Sequence, residues 1–189
     1  MTGWDTPASK ESVEKAISSL KANGINACFV ANAAQARKKV IELLPAGAKA
    51  MTMTSVTLES IGISQEIMES GRYEPVKKKL MGMDRKTQAL EMQMLGAAPE
   101  WALGSVHAVT EKGEVMVASQ SGSQLPAYSY GASHVIWIVG TQKIVKDRDE
   151  GFRRIYEYVL PLESERAKKA YGVPGSSVNK LLIREKLQD

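Results

Sequence analysis

The chain has one cysteine, two histidines and, in 189 residues, no run that approaches the ~18 apolar residues of a membrane-crossing helix. Each shortage excludes something. A single cysteine, Cys28, makes no internal disulfide and no cysteine-based metal site. His107 and His134 lie far apart and H-E-x-x-H is absent, so no local zinc motif exists. No G-x-G-x-x-G follows a strand and no G-x-x-x-x-G-K-[ST] occurs, which removes two phosphate-loop signatures. The opening stretch MTGWDTPASKE has no apolar signal core. Basic residues are not interleaved with aromatics in the manner of a nucleic-acid surface. These absences predict a cytoplasmic protein that meets neither membrane nor nucleic acid and has no metal or cofactor in this chain.

What is present is ordinary for a globular fold: 43% hydrophobic and 24% charged residues, with a net charge of +4. The length suits one domain, residues 1–189, with an N-terminal helix at about 10–23 and a core at about 24–186. Basic residues cluster locally at Arg72, Lys77, Lys78, Lys79, Arg85 and Lys86, which reads as a solvated helical face. Cys28, inside the apolar run NACFVA, is predicted to be a buried packing residue.

Periodicity outlines the elements. Ser9 caps a helix over 10–22, with Val13, Ala16, Ile17 and Leu20 on one stripe. NACFVA (26–31) reads as a buried strand, Asn32 caps the next helix, and AKAMTMT (48–54) is a second strand parallel to the first. A helix is predicted from Ser55 to Ser70. Another carries Met83, Thr87, Leu90 and Met94 as a core stripe. SVHAVT and EVMVAS flank a turn at Glu111-Lys112-Gly113. HVIWIVG (134–140) reads as a strand covered on both faces. Asp147 opens a helix, Pro161 starts or kinks another, and 177–185 is a last strand. The architecture expected is α/β: an open, mostly parallel sheet with helices on both faces.

Three segments are candidates for chemistry. SQSGSQLPAYSYGASHV (119–135) is far longer than a turn requires, and ligands of open α/β sheets bind at the carboxyl ends of strands. Within it Ser121, Ser123 and Gln124 offer donors, and Gly122 lets backbone N–H groups approach an oxyanion. Thr54 and Ser55 stand where a strand runs into a helix whose first N–H groups could receive an anion. Glu111 is a carboxylate at a strand end, read as facing the other two loops. Lys180, in VNKLL, is a counter-charge for a carboxylate or phosphate. Each also has a structural reading: plain crossover, helix cap, hairpin loop and edge lysine.

The segments VHAVTEKGEVMVASQSGSQLPAYSYGASHVIWIVGTQKIV, TMTSVTLESIGI and YGVPGSSVNKLLIRE together resemble the LUD domain, the family of lactate-utilisation protein C. The resemblance spans about residues 10–186 and is strongest over 104–146. It implies a fold of the NagB/RpiA/CoA transferase-like kind, related to ribose-5-phosphate isomerase, glucosamine-6-phosphate deaminase and CoA transferases. It implies a component that binds a small anionic metabolite in lactate utilisation, beside an iron–sulfur oxidoreductase partner subunit, and homo-oligomers are compatible with it. The family pattern of glutamate, threonine, glycine reads here Glu111, Lys112, Gly113, departing at its middle position. Related CoA transferases use such a glutamate as nucleophile, which carries a catalytic role to Glu111. Two alternatives stay open: a free-standing enzyme on a sugar phosphate or acyl-CoA using Glu111, and a non-catalytic scaffold.

Overall fold

A computed structural model describes residues 3–186. In chain order the elements are α1 (Lys10–Ala22), α2 (Ala33–Leu43), β1 (Lys49–Thr52), α3 (Val56–Ser60), α4 (Ile63–Glu69), β2 (Glu74–Pro75), α5 (Val76–Met81), α6 (Ala89–Ala97), β3 (Trp101–Gly104), β4 (Ala108–Thr110), β5 (Val115–Ser119), β6 (His134–Trp137), β7 (Ile144–Val145), α7 (Arg148–Arg153), α8 (Leu160–Tyr171) and β8 (Lys180–Arg184). A π-helical segment, Arg154–Val159, joins α7 to α8. The chain divides into two compact units. One holds residues up to Phe29, Val106–Gly122 and from Val139 onward; the other holds Val30–Ser105 and Ser123–Ile138.

The second of these is built on a wholly parallel sheet, β2-β1-β3-β6. Its core gathers Val40, Leu44, Ala50, Leu58, Ile63 and Leu103 among others, from both helices and strands. Asn32 caps α2 through the Gln35 N–H at 3.0 Å. The first unit is built on a mixed sheet, β7-β4-β5-β8. There β4 and β5 form a hairpin, β8 is antiparallel to β5, and β7 is parallel to β4. Ala108, Met116, Ala118, Val145 and Ile155 make its core. Four of the six pairings are parallel, so the α/β, mostly parallel fold expected from the sequence is the fold found.

Several local expectations are corrected. Residues 26–31 form no strand, Cys28 is exposed and Phe29 is 60% exposed. The segment has no ladder partner, because β1 takes both neighbours, β2 and β3, from later in the chain. The expected helix over 55–70 is two helices, broken at Gly62 with φ 72°. The methionine stripe is not core: Leu90 and Met94 are 71% and 65% exposed. Helix α6 begins only at Ala89, because the Asp84 carboxylate takes the Lys86 N–H and the Thr87 hydroxyl in a local turn that competes with helix. Strand β6 is half-buried rather than covered on both faces, since it is an edge of its sheet. Strand β3 has no counterpart among the expected elements.

Candidate functional site

Strand pairing in the mixed sheet decides which side chains gather. Val109 stands opposite Ile144, Ala108 opposite Met116, and Ser119 opposite Lys180. The starts of β7, β4 and β8 and the finish of β5 therefore share one end of the sheet. Lys143, His107, Ser119 and Lys180 are the residues found there.

Two of the expected ligand groups meet at this end. Gly122 has φ 84°, and a Cβ on it would lie 2.5 Å from Lys180 Cδ and 3.1 Å from Cε. Lys180 thus crosses the bare face of Gly122, and only glycine suits both the backbone angle and the space. The Gly122 N–H donates to Ser119 Oγ at 2.8 Å, closing the start of the loop. Ser121 is exposed on the same turn.

Deeper at this end are groups not anticipated from the sequence. His107 Nδ1 accepts the Ala118 N–H at 3.0 Å, which assigns the ring proton to Nε2. Burial, with Lys143 and Arg154 nearby, pushes the imidazole down to about 4. Arg154 is 2% exposed. It donates through Nη1 to His107 O at 2.5 Å, through Nε to Gln142 O at 3.3 Å and through Nη2 to Trp4 O at 3.4 Å. Its guanidinium carbon also lies 5.3 Å from the Tyr158 ring centroid. Burial and the Arg154 charge bring the Lys143 ammonium down to about 8. Neither cation stands out in the sequence: Lys143 follows Thr141 and Gln142, and Arg154 follows Arg153.

Glu111 lies elsewhere. It precedes β5, whereas Gly122 follows it, so a five-residue strand separates them by about 15 Å. Glu111 therefore does not face the loop at 121–122, contrary to expectation. Its Oε1 accepts from Ser12 Oγ at 2.6 Å, and its Oε2 is 3.8 Å from Lys15 Nζ, both on α1. The hairpin turn itself forms as expected, with Gly113 at φ 79° and its N–H on Thr110 O at 2.9 Å. Glu111 borders an open hollow of ≈ 500 Å³ with Lys15, Lys112, Lys146, Asp147 and two serines. At the same end Glu114 accepts from Thr110 Oγ1 at 2.9 Å and from Arg148 Nε at 2.7 Å. Burial raises that carboxyl, but the two hydrogen bonds outweigh burial and hold it below the usual range.

Thr54, Ser55, Ser123 and Gln124 belong to the parallel-sheet unit. Thr54 is exposed just past β1, and Ser55 begins the five-residue α3 without a side-chain cap bond. Gln124 O accepts the Tyr128 N–H at 3.3 Å. The Tyr128 ring is edge-on to Trp137, centroids 5.5 Å apart, and its hydroxyl occupies the place a Cβ of Gly104 would take. Among the described residues no three His, Cys, Asp or Glu side chains gather to hold a metal ion, and no helix is long and apolar enough to cross a membrane.

Comparison with known proteins follows the same outline. A crystal structure of a DUF162 family protein from Deinococcus radiodurans has a TM-score of 0.54 at 12% identity, over 81% of this chain and 84% of that one. At so low an identity the likeness shows the fold alone. No curated protein sequence matches. Residues 13–180 match the LUD domain, a span that takes in most of the chain and runs through both units. The chain belongs to the LUD domain family.

Proposed function

We propose that this LUD-domain chain binds a small organic anion in the utilisation of lactate or a related acid, and acts beside an iron–sulfur oxidoreductase. The observation that carries this reading is the gathering of Ser119, Gly122 and Lys180 at one end of the mixed sheet. A positive-φ glycine under a lysine stem lets the Lys180 chain lie close along a tight turn, and its ammonium is the charge that pairs with a carboxylate. With a single cysteine these 189 residues do not hold a cysteine-ligated cluster, so a redox role takes its electron centre from another chain. Thr54, Ser55, Ser123 and Gln124 remain proposed ligand groups of the parallel-sheet unit.

A thermal-shift panel of L-lactate, pyruvate, a sugar phosphate and coenzyme A tests this reading. A ligand that binds only the native state must raise the melting temperature. The expected outcome is a rise with lactate or pyruvate that is lost in Lys180→Ala and Gly122→Ala. Silence across the panel would leave a scaffold that docks other subunits.

One observation favours a second reading. Glu111 borders a hollow that also holds Lys15, Lys112 and Lys146, a setting for a base or nucleophile acting on a sugar phosphate or acyl-CoA. Glu111→Gln separates the two: an enzyme loses turnover by a large factor, whereas a binding subunit folds and binds lactate as before.

A further inference from the structure

The hollow of ≈ 500 Å³ beside Glu111 has walls fastened to one another, all within the mixed-sheet unit. Strands β4 and β7 run parallel, pair Thr110 with Val145, and both end beside it. Glu111 and Lys112 follow the one strand, Lys146 and Asp147 the other, and all four line the hollow. The carboxyl ends of parallel strands are where α/β sheets take ligands. The Glu111 N–H donates to Val145 O at 2.9 Å and ties the two strand ends together. Helix α1 closes the other side. Its Ser12 Oγ donates to Glu111 Oε1 at 2.6 Å, and Asn23 Nδ2 donates to Lys112 O at 3.0 Å and Gly113 O at 3.3 Å. Gly113 comes so near α1 that a Cβ on it would lie 2.6 Å from both Ser19 C and Leu20 N. Backbone braced in this way has little order left to gain when a ligand arrives.

The side chains on these walls are unevenly committed. Lys15 lies 2.8 Å from Glu11 and 3.8 Å from Glu111. The Asp147 carboxylate accepts the Glu150 N–H at 3.0 Å. Lys112 and Lys146, by contrast, form no ion pair among the described residues, and the Ser18 and Ser19 hydroxyls make no hydrogen bond there. Glu114, the carboxylate that feels Lys112, is already bonded to Thr110 and Arg148. The carbonyls of Ser19, Leu20 and Lys21 accept from the Asn23, Gly24 and Ile25 N–H groups, so the helix end does not present them bare to an anion. Glu111 keeps one oxygen in reserve. Its Oε2, at 3.8 Å from Lys15 Nζ, is beyond hydrogen-bond length and has room to accept.

We propose that this hollow binds a phosphate monoester carrying a free hydroxyl. Lys112 and Lys146 hold the phosphate, Ser18 and Ser19 donate to its oxygens, and Glu111 Oε2 accepts from the hydroxyl. Two uncommitted ammonium groups match a dianion. The rest of the ligand faces Glu111 and Asp147, which repel a second carboxylate but accept from hydroxyls. A dicarboxylate is therefore disfavoured. The proposal rests on the second reading above for its place alone; it asks for binding, not for Glu111 as base or nucleophile.

The test titrates the full chain with glycerol 3-phosphate, inorganic phosphate and L-malate, each to about 10 mM, by calorimetry and by backbone amide resonances. Glycerol 3-phosphate is expected to bind tightest and to move the amides of Ser19, Lys112, Gly113 and Lys146. Lys112→Met and Lys146→Met, both at exposed positions, are each expected to weaken it about tenfold. Lys78→Met, on the basic face of α5, is expected to change nothing. Binding without any Glu111-dependent turnover would sink the enzymatic reading and keep this one. The proposal is overturned if glycerol 3-phosphate moves none of these amides, or binds no tighter than phosphate or malate. It is also overturned if both lysine variants bind like wild type, or if the α5 amides move as much as those of the hollow.

Discussion

The two units solve the same packing problem with different materials. The parallel-sheet unit fills its interior with aliphatic side chains, Leu44, Leu58, Ile63, Ile67 and Leu103 among them. The buried polar atoms left without a hydrogen bond there include two hydroxyls, on Thr52 and Tyr73. The mixed-sheet unit has a smaller apolar cluster and takes charge inside: Arg154, Glu114 and, at the edge, Lys143 and His107. Apolar burial stabilises without direction, whereas a buried charge must be met by chosen partners at chosen angles. The unit that tolerates buried charge is therefore the one to search for a ligand.

The contrast can be broken most directly at the cores. Leu58 and Ile155 are both fully buried, one in each unit. Leu58→Ala is expected to cost about 2–5 kcal/mol and Ile155→Ala a similar amount. Amide exchange at β1 and β3 reads the first, and at β4 and β5 the second. A loss below about 1 kcal/mol at either site would mean that its cluster is not a packed core.

Acid sharpens the comparison, because only one unit contains a buried histidine whose proton affinity is depressed. The folded-state value of His107, about 4, lies beneath its ordinary 6.5. Between those values the unfolded chain binds a proton that the folded chain refuses. Stability is thus whole above about pH 6.5 and declines as pH falls toward 4. The total is on the order of 3 kcal/mol. Denaturant melts of wild type and His107→Gln across this window should show the wild type steeper. Parallel curves would remove His107 from the account.

The smallest expected effect is shared. Ser9 caps α1 through the Ser12 N–H at 3.1 Å, and Asn32 caps α2 through the Gln35 N–H at 3.0 Å. Alanine at either position should cost about 1 kcal/mol. Urea midpoints check this, and a clearly larger loss at one cap would show that its helix start has further duties.

The caps are also where the sequence was most legible. Ser9, Asn32 and Asp147 each begin a helix as their residue type predicts, because capping is a transaction within one turn of chain. The hairpin at Glu111-Lys112-Gly113 was equally local. Strand assignment failed where the answer lay far away. NACFVA has the composition of a strand, but composition does not say whether a neighbour will be present to pair with it. The methionine spacing suggested a helix that Asp84 forestalls by turning the chain first. At the candidate site, Lys180 and Gly122 were nameable one by one, while their contact depends on the β5–β8 register. His107, Lys143 and Arg154 were missed because their meaning lies in shared burial, which no single segment displays.

The helical stretch that begins at Arg148 and closes at Tyr171 widens into a π turn between Arg154 and Val159. Deleting Val159 would return that stretch to ordinary α pitch with little change in the bearing of everything downstream, because a π turn is one extra residue accommodated inside an α-helix. Glu163 would then keep its bearing from Arg154, whereas deleting Leu162 from the regular α8 would turn it by about 100°. The wide turn is thus the one place in this stretch where the chain can shed a residue without re-aiming the groups on either side of it.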